Sequence, residues 1–129
     1  MDPSPNVTQD GPLAGHRIID LSRVLSGPVA TMLLADQGAD VIKVEPLEGD
    51  ITRMMGVGSD GMTSGFLNMN RGKRGVALDL HSPAGIEVVR KLVATADVFV
   101  QNFRPGAAAQ LGLGLAAVRA LKPDIVYVS

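Results

Sequence analysis

Short runs of β-branched residues alternate along the chain with stretches that have helical spacing. Residues 17–21 and 40–45 are two such runs, and both predict strands. Between them, Gly27 and Pro28 predict the start of a helix, because glycine and proline are favoured at the cap and in the first turn. Gly38 predicts the end of that helix. The apolar residues in between follow the spacing of one helical face: Val29, Met32 and Leu33.

The same unit recurs further along the chain. Residues 76–80 predict a strand, Ser82 predicts the N-cap of the following helix, and residues 98–100 predict the next strand. A less regular repeat runs through residues 107–121 and ends in a predicted strand at residues 125–128. Parallel neighbours in a sheet need a crossover between them. The repeated unit therefore predicts an α/β fold, a Rossmann-like parallel sheet with covering helices.

Residues 46–69 interrupt this rhythm. The segment contains five glycines and four methionines and has no clear period. Structureless loops of this length are uncommon in a compact domain, and those that occur are usually functional or disordered. Two interpretations stay open: a mobile or ligand-covering loop, or elements that the pattern fails to reveal.

Composition and charge exclude several classes of protein. A chain of 129 residues, 46% of them hydrophobic, suits one modest core and at most one domain. With 12 Lys and Arg against 13 Asp and Glu, the net charge of −1 argues against a nucleic-acid partner. The absence of cysteine excludes disulfides, thiolate nucleophiles and Cys-type zinc sites. Because the chain has only two histidines, we also expect no metal site.

The first residues carry no targeting signal that the sequence reveals. Residues 1–12 hold two aspartates and three prolines, and they lack the basic start and apolar core of a secretory signal. Charges or glycines interrupt every apolar run well before the roughly 18 residues that a membrane-spanning helix needs. We therefore expect a flexible leader at residues 1–12, a cytoplasmic location and no membrane partner.

The turn after the first predicted strand, residues 22–28, is the first candidate site. A strand that leads through small residues into a helix presents free backbone N–H groups to an anion. Glu45 ends the next strand, where dinucleotide folds place a ribose-binding acid. However, Gly27 is the only glycine in a turn where Gly-x-Gly-x-x-Gly needs three, which argues against a nicotinamide or flavin site. The alternative is ordinary capping by Ser22 and Ser26.

Two further loops combine residues suited to a phosphorylated ligand. Residues 68–75 hold three cations and two glycines that would wrap a polyanion, or form a solvated basic turn. Residues 102–106 follow a predicted strand and place Phe103 beside Arg104. An aromatic plane next to a guanidinium suits a nucleotide or a phosphorylated pantetheine arm. The alternative is that Phe103 fills the top of the core and Arg104 is merely exposed.

Familiar catalytic motifs are missing from the sequence. It contains no Gly-x-Ser-x-Gly elbow, no Walker loop and no His-Glu-x-x-His zinc motif. The aspartates at the predicted strand edges do not show the spacing of an acid and base pair.

The segments that remain match a known family when they are taken in order. Two carry the most distinctive text, Asn-Arg-x-Lys-Arg-x-x-x-Leu-Asp-Leu at residues 70–80 and Asn-Phe-Arg-Pro-Gly at residues 102–106. Each piece is weak alone, but the ordered set is specific. The other matching pieces are residues 11–15, 20–23, 38–46, 49–53, 96–98 and 111–112. Over residues 11–129 the chain resembles CoA-transferase family III, also called the CaiB/BaiF family.

This resemblance implies an enzyme of CoA thioesters built as an interlocked homodimer, with coenzyme A bound as an acyl-CoA substrate and a carboxylic acid as the second partner. No metal is implied. By position, the resemblance assigns contacts with CoA to seven residues: Val24, Lys73, Arg74, Leu78, Asn102, Phe103 and Arg104.

The resemblance assigns no catalytic residue to this chain. The transferases of the family use an aspartate nucleophile and the racemases a His and Asp pair, and both fall beyond Ser129. Gly72 and Gly75 stand where relatives more usually have Asn and Ser. We therefore interpret residues 13–129 as the N-terminal part of a CoA-binding α/β domain, truncated at its C-terminus and inactive alone. The favoured function is CoA transfer between a thioester and a carboxylic acid. The alternatives are racemisation of a 2-methylacyl-CoA and a non-catalytic nucleotide-binding module.

Overall fold

The structure, a computed structural model, describes residues 10–129, so residues 1–9 of the predicted leader lie outside it. In chain order the elements are β1 (Arg17–Asp20), α1 (Ser26–Asp36), β2 (Asp40–Glu45), a 3-10 helix (Ile51–Met54), β3 (Gly58–Ser59), β4 (Met62–Thr63), α2 (Ser64–Asn70), β5 (Arg74–Ala77), α3 (Pro83–Val93), β6 (Val98–Val100), α4 (Ala107–Gln110), α5 (Leu115–Leu121) and β7 (Val126–Val128).

Five strands form one parallel sheet, as the sequence predicts. Their order across the sheet is β5-β2-β1-β6-β7, and every neighbouring pair is parallel. The chain therefore starts in the middle of the sheet, builds outward to β5, and then crosses back to β6. This is the strand order of doubly wound α/β folds, whose ligands bind at the point where the order reverses. Here that point lies between β1 and β6.

The two faces of the sheet differ in chemistry. One face buries an apolar core that includes Ile19, Ile42 and Phe99, with α3 and α5 supplying Val89 and Val118. The other face, under α1, buries a smaller apolar cluster that includes Ile18 and Val41 of the central strands and Val100 at the end of β6. Towards the carboxyl ends of β1 and β2 it carries charged residues, because Asp20 of β1 stands beside Lys43 of β2 in the register. The polar half of this face lies directly beneath the loop that follows β1.

Gly27, in the first turn of α1, packs closely against the end of β1. A Cβ atom at this position would lie 2.2 Å from the Cβ of Ser22, so no larger residue fits without moving the backbone. Such a contact is far shorter than any van der Waals approach. Gly27 therefore serves close packing of the helix against the end of β1.

The third strand of the sheet lies earlier in the chain than predicted. The sequence predicts residues 76–80, whereas β5 spans Arg74–Ala77. After it, the Leu78 N–H still donates to the carbonyl of Glu45 at 2.9 Å. Leu78 and Leu80 pack against the core, and the backbone turns where the N–H of His81 donates to the carboxylate of Asp79 at 2.9 Å. The predicted N-cap is confirmed, since the Ser82 hydroxyl accepts from the Gly85 N–H at 3.0 Å.

Residues 46–69 are not a structureless loop. They contain the 3-10 helix, the β3–β4 hairpin and the start of α2. The guanidinium of Arg53 attaches this segment to the sheet through two hydrogen bonds of 2.7 Å to the carboxylate of Glu45, and it stacks on the ring of Phe66. Elements this short depend on such side-chain contacts rather than on periodicity, which is why the pattern fails to reveal them.

The less regular stretch at residues 107–121 contains two short helices, α4 and α5. The chain breaks after α4 at Gly112, whose φ of 72° is left-handed, and resumes as α5. Glycine adopts this conformation without steric cost.

Candidate functional site: a cavity at the carboxyl edge of the sheet

Four loops at one edge of the sheet enclose a cavity of about 890 Å³. Each loop follows the carboxyl end of a different strand: β1, β2, β5 or β6. The volume lies within the range of about 300–1,000 Å³ that small-molecule sites occupy. The cavity also spans the point where the strand order reverses, which is where parallel α/β folds place their ligands.

The lining combines an apolar wall with a few charges. Much of the apolar wall faces solvent: Val24 is 45% exposed, Leu25 60% and Leu47 68%. Exposed aliphatic side chains grouped around a concavity indicate a ligand with an apolar part. The charged residues that line the same space are Arg23, Arg104, Glu48 and Asp79.

Five of the seven residues predicted to contact CoA line this one cavity. They come from three loops that are far apart in the sequence. Phe103 both lines the cavity and packs against the main core. Its position is therefore compatible with a ligand contact and with filling the top of the core. The five residues are Val24, Leu78, Asn102, Phe103 and Arg104.

Lys73 lies outside the cavity. Its side chain is 2% exposed, and its ammonium donates to Asp20 at 3.0 Å, to the carbonyl of Pro28 at 2.9 Å and to Asn70 at 3.0 Å. Burial lowers the pKa of Lys73 below its usual value, although the Asp20 carboxylate opposes this shift. With three acceptors for three N–H bonds, the ammonium is fully used within the protein.

Arg74 also lies outside the cavity. It is the first residue of β5 and forms hydrogen bonds of 2.7–2.9 Å with Asp40, the first residue of β2. Both residues therefore lie at the amino edge of the sheet, away from the cavity. Burial alone would raise the pKa of Asp40, but its bonds with Arg74 and Arg17 outweigh this and lower it.

The loop between β1 and α1 forms one wall of the cavity in an unusual conformation. Val24 has a φ of 70°, one of two positive values among the non-glycine residues that the structure describes. The neighbouring Arg23 exchanges two hydrogen bonds of 2.8 Å with the side-chain amide of Asn102, which follows β6. Asn102 thus joins the two loops that flank the reversal point.

A buried polar network lies under this loop. The carboxylate of Asp20 accepts hydrogen bonds from the backbone and hydroxyl of Ser22 and from Thr31. Lys43 donates to the carbonyl of Ser22 at 2.9 Å and to Asp50 at 3.1 Å. Every buried side-chain polar atom among residues 10–129 has a partner. The network therefore carries no unsatisfied group, which would otherwise destabilise the fold.

Glu45 is occupied within the fold, although its position suggested a ribose-binding acid. Its carboxylate accepts from Arg53 and from the backbone N–H of Asp50 at 2.8 Å. Burial raises the pKa of Glu45, but these bonds outweigh burial and hold it below its usual value. The structure gives this acid a role in holding residues 46–69.

Sequence reasoning missed much of the lining. Pro46, Leu47 and Ile51 line the cavity and belong to the segment whose structure the pattern did not reveal. Leu80 and His81 follow β5; the sequence placed Leu80 at the end of a predicted strand and His81 directly before the predicted N-cap of a helix. The signal that would have found them is their position directly after a buried strand, since loops at that edge build the site.

Residues 10–129 contain neither a metal-binding cluster nor a membrane-spanning helix. No three His, Asp or Glu side chains in this part of the chain gather as a metal-binding cluster. None of its helices has the length and apolar character needed to cross a membrane.

Comparison with known proteins decides the family. The sequence pattern of CoA-transferase family III matches residues 13–129. The chain belongs to CoA-transferase family III. Among curated relatives, succinyl-CoA:glutarate CoA-transferase from Mus musculus is 47% identical over 122 residues, covering 92% of this chain and 28% of the relative. Succinate–glutarate CoA-transferase from Agrobacterium fabrum is 44% identical over 126 residues, covering 92% and 32% respectively.

The fold agrees with the family as well. The crystal structure of a CaiB/BaiF family protein from Brucella suis superimposes with a TM-score of 0.87 at 41% identity, covering 92% of this chain and 33% of that one. The present chain therefore spans about a third of the length of the family III proteins that it matches.

Proposed function

We propose that the cavity binds coenzyme A, and that the full-length protein moves CoA between an acyl-CoA thioester and a carboxylic acid. The observation that carries the proposal is the convergence of five predicted contact residues, from three separated loops, on one cavity. Membership of CoA-transferase family III supports the same ligand.

The chemistry of the lining suits the parts of this ligand. The exposed aliphatic wall around Val24 and Leu25 suits the aliphatic groups of the pantetheine arm, since contact between the two removes apolar surface from water. The guanidinium of Arg104 is suited to a phosphate, because its N–H groups form charge-assisted hydrogen bonds in a fixed fork. Phe103 offers an aromatic face beside it.

Catalysis is proposed to need groups beyond this chain. The family resemblance places the carboxylate nucleophile downstream of Ser129, so the residues described here bind and position the thioester. A carboxylate nucleophile would split the exchange into two steps, each replacing one acyl bond with another. The same resemblance supports a homodimeric, cytoplasmic enzyme.

The acid partner is proposed to be a dicarboxylate. Relatives are named for succinyl-CoA with glutarate or mesaconate, and another for formyl-CoA with oxalate, and each of these names includes a dicarboxylic acid. No residue of this chain is assigned to the acyl group.

The test mixes the full-length protein with succinyl-CoA and isotope-labelled glutarate. Mass spectrometry should detect labelled glutaryl-CoA and free succinate in equal amounts. Calorimetric titration with CoA should give binding that Arg104→Ala weakens. Exchange of the C2 hydrogen of a 2-methylacyl-CoA with solvent deuterium, without transfer, would instead show a racemase. A folded protein that releases no heat with CoA would contradict the proposed site.

A further inference from the structure

Val24 holds a backbone conformation that its own side chain disfavours. A φ of 70° is left-handed, and a β-branched residue is a genuine outlier there because its Cβ branches crowd the backbone. The Val24 side chain is 45% exposed, so its own packing supplies little to offset this cost. Strained residues of this kind persist only where the surroundings determine the backbone.

One buried ion pair, formed by Lys43 and Asp50, contacts this loop from the side of the sheet. Lys43 and Asp50 are 2% and 1% exposed in their side chains, with 3.1 Å between ammonium and carboxylate. Lys43 donates to the carbonyl of Ser22 at 2.9 Å. The same oxygen of Asp50 that accepts from Lys43 also faces the backbone N–H of Val24 at 3.4 Å. The pair therefore contacts the loop on both sides of Arg23.

Asp50 is itself held rigidly. Its other carboxylate oxygen accepts from the backbone N–H of Thr52 at 3.1 Å and from the Thr52 hydroxyl at 2.9 Å. Its own N–H donates to Glu45 at 2.8 Å. Burial raises the pKa of Asp50, but the bonds from Thr52 and the charge and hydrogen bond of Lys43 outweigh burial and lower it, so the carboxylate stays ionised at neutral pH.

The loop also has a support above the sheet, because Asn102 holds both backbone groups of Arg23. Three consecutive residues, 22–24, are thus fixed by side chains from three other segments. A loop this constrained presents its apolar side chains to the cavity before any ligand arrives, which reduces the ordering cost of binding.

We infer that Lys43 and Asp50 are positioning residues, which hold the β1–α1 loop in its strained conformation so that Val24 and Leu25 form the cavity wall. The inference rests on the proposed function only where an experiment measures the affinity for CoA. Neither residue lines the cavity, so both act through the loop.

The first experiment replaces Asp50 by Asn in the full-length protein. In Asp50→Asn one carboxylate oxygen becomes an NH₂ group. If the NH₂ group faces Lys43 and Val24, it places a donor against two other donors, and both hydrogen bonds are lost. If the amide is reversed, the NH₂ group faces the Thr52 N–H, which is also a donor. Without the pair the loop relaxes, and binding must then supply the free energy that restores the strained backbone. We therefore expect the dissociation constant for CoA to rise about 5- to 30-fold, which is the equilibrium factor for strain of this kind. The turnover number at saturating thioester should change much less than the Michaelis constant.

The matched control is Asp97→Asn. Asp97 also accepts a backbone N–H through its carboxylate, that of Arg17 at 2.8 Å, but it does so at the amino edge of the sheet. This control should leave the affinity for CoA unchanged. Equal losses of affinity in both variants would show a general effect on stability and overturn the inference.

The second experiment tests the strain itself through Val24→Gly. Glycine adopts the left-handed conformation without the cost of a branched Cβ, so Val24→Gly should not lower the thermal midpoint. Within a Val24→Gly background, Asp50→Asn should weaken CoA binding less than about twofold, because the loop no longer needs to be held against strain. The same fold-change in both backgrounds would overturn the inference, as would a lowered midpoint of Val24→Gly.

A crystal structure of Asp50→Asn separates this inference from the proposed function. We expect Val24 to leave the left-handed region; a loop unchanged from the wild type would overturn the positioning role. This result holds whether or not CoA binds. Failure of the wild-type protein to bind CoA would count against the proposed function alone. If Asp50→Asn does not fold, the thermal midpoint of Val24→Gly decides the inference.

Discussion

The side-chain amide of Asn102 and the backbone of Arg23 form a two-way hydrogen-bonded pair across the point where the sheet order reverses. The Asn102 amide nitrogen donates to the Arg23 carbonyl, and its oxygen accepts from the Arg23 N–H, each at 2.8 Å. A residue predicted to contact the ligand thus also holds the loop opposite. The pair fixes the distance between two walls of the cavity.

We expect Asn102→Ala to lower the free energy of unfolding by about 1–2 kcal/mol, since two hydrogen bonds are lost and both Arg23 groups remain accessible to water. The affinity for CoA should fall as well. Denaturant unfolding and calorimetry measure the two effects. Asn68→Ala, which removes an exposed amide bonded to Arg71 outside the cavity, is the control and should leave affinity unchanged. Unaltered CoA binding in Asn102→Ala would contradict the bridging role.

Arg104 is expected to act on a phosphate of the ligand. Arg104→Ala should weaken CoA binding by about 1–3 kcal/mol, the range for a charge-assisted hydrogen bond. Arg104→Lys should recover part of this loss because it keeps the charge but not the fork. Arg119→Ala, an exposed residue of α5, is the matched control. An unchanged Michaelis constant for the thioester in Arg104→Ala would refute the contact.

Lys73 is expected to stabilise the fold without contacting the phosphates. Lys73→Met leaves the buried carboxylate of Asp20 without its cation, which costs about 3–5 kcal/mol when one partner of a buried pair is removed. The ratio of affinities for CoA and 3′-dephospho-CoA should stay at its wild-type value. A ratio that collapses in Lys73→Met would instead assign Lys73 to the 3′-phosphate.

The pair of Glu45 and Arg53 predicts how stability depends on pH. The folded-state pKa of Glu45 lies below the ordinary value of 4.5, so the unfolded chain binds more protons. The stabilisation is complete above that ordinary value and is lost as the pH falls through the folded-state pKa. Between about pH 6 and about pH 3, the free energy of unfolding should fall less steeply in Glu45→Gln than in the wild type. Glu87→Gln, exposed on α3, should retain the wild-type slope. Parallel slopes in wild type and Glu45→Gln would contradict this assignment.

The sequence predicts those elements whose signals are local. Residues 40–45 and 98–100 form strands as predicted, since β-branched runs pack well in a buried sheet, and Ser82 caps α3 through its own hydroxyl. The prediction for the third strand of the sheet is wrong at both ends, since β5 spans Arg74–Ala77 and not residues 76–80. Alternating apolar residues give the same sequence pattern in a strand and in a loop that lines a cavity. The 3-10 helix after β2 has no periodic signal at all.

The same distinction explains which of the predicted contact residues line the cavity. Residues 102–104 follow a buried strand directly, so the strand itself positions them at the cavity. Lys73 stands in a basic run, and its burial depends on acceptors at residues 20, 28 and 70 that come together only in the folded chain. A pattern of charges along the sequence does not distinguish an exposed cation from one enclosed by distant carbonyl and carboxylate oxygens.

The attachment of each cavity wall to a different strand has a consequence for how such proteins diversify. Contacts of Asp50 and Asn102 join the walls that follow β1, β2 and β6, so an insertion in one of these walls disturbs its neighbours, whereas the wall that follows β5 takes no part in these contacts. The loop after β5 is therefore the place where insertions would change the shape of the cavity with the least effect on its other walls.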